Sequence, residues 1–411
     1  MDIETPAENY DIVVVGGGMV GASFAQALSQ SLKEKCPSVL VIEAAGPDTA
    51  KELQPSFDAR STALSFGSRQ IYESMQLWDG LQDCVTPIHE IQVSDKGRLG
   101  SALLNRGEQN VEALGYVVEN ASLGVVLNAR MQTSSVIEFL APATIENISP
   151  VPNGMKLSVS NGEGSYAIHA GLVVLADGGR SPICQQLGIE QAKESYRQHA
   201  IISNVSFEQA HNNIAFERFT DSGPLAILPL RNFEGENRCS LVWTVEDENS
   251  NALMQFDDEE FIEALQQSFG NRLGRITGIG DKFCYPLSLS IAKEQIRPGI
   301  VLLGNVAHTL HPVAGQGLNL ALRDISALVD ALKQAVVTQE SLGSMNTLQS
   351  YIDRQDFDQQ KAILFTDSLT KLFSSNRGTN VASRKLGLLS LEIIPAVRKS
   401  FAEQAMGLVA R

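Results

Sequence analysis

The chain has 411 residues, enough for two or three structural units on one polypeptide, which excludes a small disulfide-stapled module. Its 32 Lys and Arg against 47 Asp and Glu leave a net charge of −15, which repels a phosphate backbone and argues against general nucleic-acid binding. With 43% hydrophobic and 19% charged residues, the composition is that of a chain that folds throughout.

The opening residues, MDIETPAENYD, are acidic where an export signal would be basic, so none is expected. The five cysteines, at 36, 84, 184, 239 and 284, form no close pair, so neither a disulfide framework nor a metal cluster is suggested and a reducing cytoplasm fits. DIVVVGGGMVGASFAQALSQSLKEK followed by SVLVIEA reads as a buried strand, a glycine turn, a helix and a second buried strand. In the turn, Gly16-x-Gly18-x-x-Gly21, with Val20 inside it, lets backbone amides and a helix N-terminus approach a pyrophosphate. Glu43, at the end of the second strand, is placed to meet a ribose hydroxyl, which favours an adenosine dinucleotide without a 2′-phosphate. The motif does not separate NAD from FAD.

Leu172 to Ala176 and Gly299 to Leu303 are short apolar runs expected to join the same parallel sheet. Between them Met155 to Ser160, Ile201 to Phe207, Ala226 to Leu230 and Cys239 to Val245 alternate or are β-rich, which suits an antiparallel sheet in an inserted unit. Acidic residues 257–260 open a helix through Phe269. Residues 299–322 carry no charge, but Pro312, His308, His311 and several glycines favour a strand, a turn and a helix start over a membrane span. Beyond Gly317 the pattern is helical, with breaks near Gly343, Gly378 and Pro395. The expected fold is α/β: a Rossmann-like dinucleotide-binding domain from 1–184 and 286–340, an inserted antiparallel-sheet substrate domain at 185–285, and a helical region at 341–411.

Two later segments carry a resemblance. Leu172-Val-Val-Leu-Ala-Asp177-Gly178-Gly-Arg-Ser181, and Gly304-Asn305 through His308, His311-Pro312, Gly315, Gly317-Leu318-Asn319 to Arg323-Asp324, follow the glycine turn in order. Together they resemble the class A aromatic flavoprotein monooxygenases. Phe57-Asp-Ala-Arg60-Ser-Thr-Ala-Leu64, Phe216-Glu-Arg-Phe219 with Gly223-Pro-Leu-Ala, and the ending Gly407-Leu-Val-Ala-Arg411 are similar to the FAD-dependent hydroxylases of ubiquinone biosynthesis. The resemblance covers essentially the whole chain.

It implies bound FAD, NAD(P)H as a transient electron donor, O2, and hydroxylation of a polyprenyl phenol such as 2-polyprenyl-6-methoxyphenol. FAD would be held by Gly16, Gly18, Val20, Gly21, Glu43, Arg60, Asp177, Asn305, Pro312, Gly315, Gly317, Leu318 and Asn319. The helix after Pro312, read as Leu318 to Val337, would turn its positive end to the flavin pyrimidine ring. The family's usual Asp stands here as Asn305, which keeps hydrogen bonding without the charge. Cys184 replaces an Arg that helps engage NAD(P)H, and Arg180 is the nearest substitute.

Phe216, Phe219, Leu228, Pro229 and His311 are the candidates for the substrate side. His308 reads as a turn histidine, since no metal-ligand pattern surrounds it. No catalytic base is identified. A polyprenyl tail demands an apolar channel or a membrane-facing mouth. Leu386 to Ile394 and Val397 to Val409, with Arg384, Lys385, Arg398 and Lys399 beside them, suit an interfacial helix making peripheral membrane contact, or packing against the protein's own tail or another ubiquinone-biosynthesis protein. The rival readings are a non-catalytic flavoprotein-like scaffold in a ubiquinone-biosynthesis assembly, for which Asn305 and Cys184 speak, and another FAD oxidoreductase such as a prenyl reductase. A halogenase would carry a Trp-rich segment that neither Trp78 nor Trp243 supplies.

Overall fold

The computed structural model describes residues 6–46, 60–97, 101–162, 164–312, 315–373, 390 and 392–408. Phe57, Asp58, Gly378, Arg384, Lys385 and most of the 386–394 run lie outside them.

The run IVVV forms the strand Asn9–Val15, central in an eight-stranded sheet. It pairs in parallel with Val39–Ile42 on one side and Ser165–Leu175 on the other, and Ile300–Leu302 extends that edge. Ile12 and Val14 enter one apolar core, while Val13 and Val15 enter another. A parallel strand covered on both faces needs this unbroken apolar run. Helices Met19–Leu32, Asn120–Gln132 and Gln316–Thr338 supply the first core through Phe24, Leu28, Leu127, Leu322 and Leu328.

A nine-stranded sheet forms the second layer: eight strands run in the order His308–Thr309, Phe283–Ala292, Gln191–Phe207, Asn237–Glu246, Gly223–Pro229, Ile214–Thr220, Glu90–Asp95, Ser101–Asn105, and the ninth, Ile276–Ile279, pairs with Gln191–Phe207 off this path. The helix Asp258–Phe269 covers one face; Asp257 and Glu260 close a capping box at its start, as the acidic run predicts. Two expectations change. Met155–Ser160 lies in the strand Gly154–Ser160 of the first sheet, paired with Ser165–Leu175, because alternation identifies a strand and not its partner. The second sheet also runs beyond 185–285: Phe283–Ala292 crosses the later bound, and Glu90–Asp95 joins from far upstream through parallel pairing with Ile214–Thr220.

The uncharged stretch 299–322 resolves into the strand Ile300–Leu302, a short 3-10 turn, and the start of Gln316–Thr338, two residues earlier than read. Among the described residues, no helix is long and apolar enough to cross a membrane. After the break at Gly343, Met345–Phe373 packs on Gln316–Thr338, and Pro395–Ala405 is the last helix among the described residues. Ala402 and Met406 bury against Leu104 and Leu114, so this end of the tail packs on the protein itself.

Candidate active site

The glycine turn is a consequence of crowding. Gly16 has φ +98°, and a Cβ there would stand 2.6 Å from the Ala176 carbonyl oxygen, so only glycine fits where the first strand meets its neighbour. At Gly21 a Cβ would come within 1.9 Å of the Gly16 carbonyl oxygen, which fixes close helix–strand packing. Gly18 caps Met19–Leu32 in an extended conformation, with no side-chain cap and no acidic residue in the first turn. The first N–H groups of that helix therefore remain for a ligand. Glu43 braces the turn: its carboxylate accepts from Gly17 N at 2.7 Å and Ala45 N at 2.9 Å.

The second helix start is built alike. Gly315 caps Gln316–Thr338 with φ +62°, again without a side-chain cap. A Cβ on Gly315 would meet the Ala63 carbonyl oxygen at 3.1 Å, while beside Gly317 there is open space. Asn319 locks the geometry. Its Oδ1 accepts from Ser65 N at 2.8 Å and Ser68 Oγ at 2.6 Å, and its Nδ2 donates to Ala63 O at 2.9 Å and Gly315 O at 2.6 Å. The amide thus positions the helix start and the strand Ser61–Ser65 against each other, and has no capacity left for a ligand.

Between the two helix starts and the second sheet lies a cavity of about 1020 Å³. Gly16, Gly18, Val20, Glu43, Arg60, Asp177, Asn305, Pro312, Gly315, Gly317, Leu318 and Asn319 all border it, so the structure brings together the segments read from sequence, Gly21 standing just behind. The Arg60 guanidinium lies 4.8 Å from the Tyr285 ring centroid, a stacking that sequence reading did not anticipate. Asp177 Oδ1 is buried with no hydrogen-bond partner among the described residues, and burial pushes this carboxyl up from its ordinary value. Asn305 is exposed toward the opening, its own carbonyl accepting from Thr309 Oγ1 at 2.9 Å. Arg180 is exposed and outside the wall; Cys184 is buried, its N–H capped by Ser181 Oγ at 3.2 Å.

On the substrate side the outcome divides. Phe219 and Leu228 line the cavity. Phe216 reaches it too, but its ring packs edge-on to Phe269, 5.6 Å away, in the core behind the sheet. Pro229 and His311 are not in the wall. Successive strand residues face opposite ways, so Leu228 and Pro229 cannot both point inward. His311 sits edge-on to Tyr196 at 5.3 Å, and burial lowers its imidazole to about 4. The sequence reading missed Glu217, between the two phenylalanines it singled out.

An unfilled acceptor on Asp177 and two uncapped helix starts opening on one cavity fit an FAD, the first turn and the second being where the sequence expectation sets its pyrophosphate and its pyrimidine ring. Comparison with known proteins agrees. A family model described as FAD binding domain matches residues 9–360. Ubiquinone hydroxylase UbiL of Rhodospirillum rubrum is 33% identical over 398 residues, covering 97% of this chain and 89% of that protein. The 3-demethoxyubiquinol 3-hydroxylase of Escherichia coli is 29% identical over 399 residues, covering 97% and 98%. In fold, p-nitrophenol 4-monooxygenase PnpA of Pseudomonas putida superposes with a TM-score of 0.80 at 16% identity, over 98% of this chain and 100% of that one. On the family match and the 33% relative, the chain belongs to the FAD-binding family and, within it, to the ubiquinone-biosynthesis hydroxylases.

Proposed function

We propose that this protein hydroxylates the aromatic ring of a polyprenyl phenol in ubiquinone biosynthesis, with 2-polyprenyl-6-methoxyphenol as the substrate type. The observation that carries this reading is the continuous cavity, which reaches both helix starts and an apolar sheet floor of Ile202, Ala226 and Val242. FAD, when bound, would supply the redox chemistry that couples NAD(P)H oxidation to the transfer of one oxygen atom of O2 to an electron-rich ring.

The protein's part is binding, orientation and exclusion of water. N–H groups at Gly18 to Val20 and Gly315 to Leu318 favour the anionic parts of the cofactor, and Asp177 Oδ1 can accept from a hydroxyl. Phe219, Leu369 and Phe401 close an apolar end suited to a prenyl tail. The exposed Ile393, Ile394 and Val397, at 64%, 45% and 42%, lie near that end and support delivery of substrate from a lipid surface.

The test is turnover with ¹⁸O2. NAD(P)H oxidation stimulated by a short-tailed prenyl methoxyphenol, with one ¹⁸O in the hydroxylated product, is the expected result. Oxidation releasing only hydrogen peroxide would contradict it.

A further inference from the structure

The strand Ile214–Thr220 sets a carboxyl into the cavity floor. In register across the second sheet, Val93, Glu217, Ala226, Val242 and Ile202 form one row, and all five line the cavity. Glu217 thus faces a space that would admit a substrate ring, flanked along its row only by alkyl side chains. Among the described residues no hydrogen bond or ion pair engages its side chain. Burial alone raises it from 4.5 to about 7. A carboxyl without a partner adds nothing to stability in such a place. It is suited to proton transfer near neutral pH.

The surrounding charges are occupied elsewhere. Asp95 lies two residues beyond Val93 and outside the cavity wall. Arg218 points to the other face of the sheet, its Nε donating to Ser268 O at 2.9 Å. On Met345–Phe373, Lys371 pairs with Asp367 at 3.0 Å and with Glu194 at 3.1 Å. On Pro395–Ala405, Arg398 pairs with Glu108 at 2.9 Å and Lys399 with Glu403 at 3.9 Å. Tyr285 on the same floor is stacked under Arg60.

We propose that Glu217 is the proton acceptor for the substrate's phenolic hydroxyl: the O–H bond breaks, its electron pair stays on the ring oxygen, and the proton passes to a Glu217 carboxylate oxygen. The inference rests on the phenol-hydroxylation reading and deepens it. Ionising the hydroxyl enriches the ring at the carbon to be oxygenated. Below the carboxyl's transition the group is already protonated and cannot accept, so turnover rises with pH through about 7.

The experiment uses the FAD-loaded protein and 2-methoxy-6-prenylphenol as probe. Wild type at pH 8 should show the near-ultraviolet difference band of a bound phenolate, and kcat should climb between pH 6 and 8. Glu217→Gln should keep FAD and bind the probe, lose the phenolate band, lower kcat by ~10²-fold and flatten the pH limb. Glu217→Asp, which keeps a carboxylate, should recover part of the band, and it serves in place of the Gln variant if that one loses FAD. A Gln variant that retains both the band and the pH limb, or an Asp variant with full FAD and no band, overturns the assignment. Wild type that shows the band but incorporates no oxygen would leave Glu217 as the proton acceptor while sinking the hydroxylation reading.

Discussion

His308 and Asp324 meet through a 2.7 Å hydrogen bond between Nε2 and Oδ2, with neither side chain reaching solvent. The other carboxylate oxygen accepts from Gln355 Nε2 and Gln359 Nε2, each at 2.9 Å. One buried carboxylate therefore joins the segment that lines the cavity, the helix Gln316–Thr338 and the helix Met345–Phe373. Removing it strands three polar side chains in the interior. Asp324→Ala should cost about 3–5 kcal/mol in urea unfolding and weaken FAD retention with it. A stability within 1 kcal/mol of wild type would show that the network is not structural.

Gly18→Val separates folding from cofactor binding. Gly18 has φ −69° and ψ −170°, a conformation valine adopts without strain. The added side chain would stand in front of the uncapped helix start. The variant should fold with an unchanged circular dichroism spectrum and purify without flavin colour, its FAD affinity lowered more than about tenfold, or ~1.4 kcal/mol. Full occupancy in a folded variant would contradict the placement of the adenosine half.

Asn319→Ala removes four hydrogen bonds that tie Ser65, Ser68, Ala63 and Gly315 together. A loss of about 1–3 kcal/mol is expected, since the Ser65 N–H and the Ala63 and Gly315 carbonyls lose their partner. Added FAD should restore part of the thermal stability by mass action.

Burial at His311 lowers its folded pKa to about 4, below an ordinary imidazole near 6.5. The unfolded chain then binds this proton first, so stability falls as pH drops from about 6.5 to 4 and levels off below. The full effect is at most about 3 kcal/mol. His311→Phe, beside Tyr196, should flatten this limb of the pH–stability curve; an unchanged slope would place the proton uptake at another residue.

The fold was legible wherever burial imposes a pattern on the chain. An apolar run covered on both faces marked the strand Asn9–Val15, and glycines forced by backbone contact marked the turn after it. What failed was information held by partners remote in sequence. Glu90–Asp95 gives no sign that it pairs with Ile214–Thr220, and Gly154–Ser160 looks alike in either sheet. In the site, attention to the aromatic rings of Phe216 and Phe219 hid the period of two that aims Ala215, Glu217 and Phe219 at the cavity. Asn319 was readable as a site residue, but not as one whose amide the fold consumes.

The direct test of the cofactor's position is a crystal structure of the purified yellow protein. The isoalloxazine should lie against Gly315 to Leu318, with the adenosine half by Gly16 to Gly21 and the open side of the ring facing Glu217 and Ala226. Flavin density elsewhere, or side chains filling that cavity in an FAD-saturated crystal, would contradict the account.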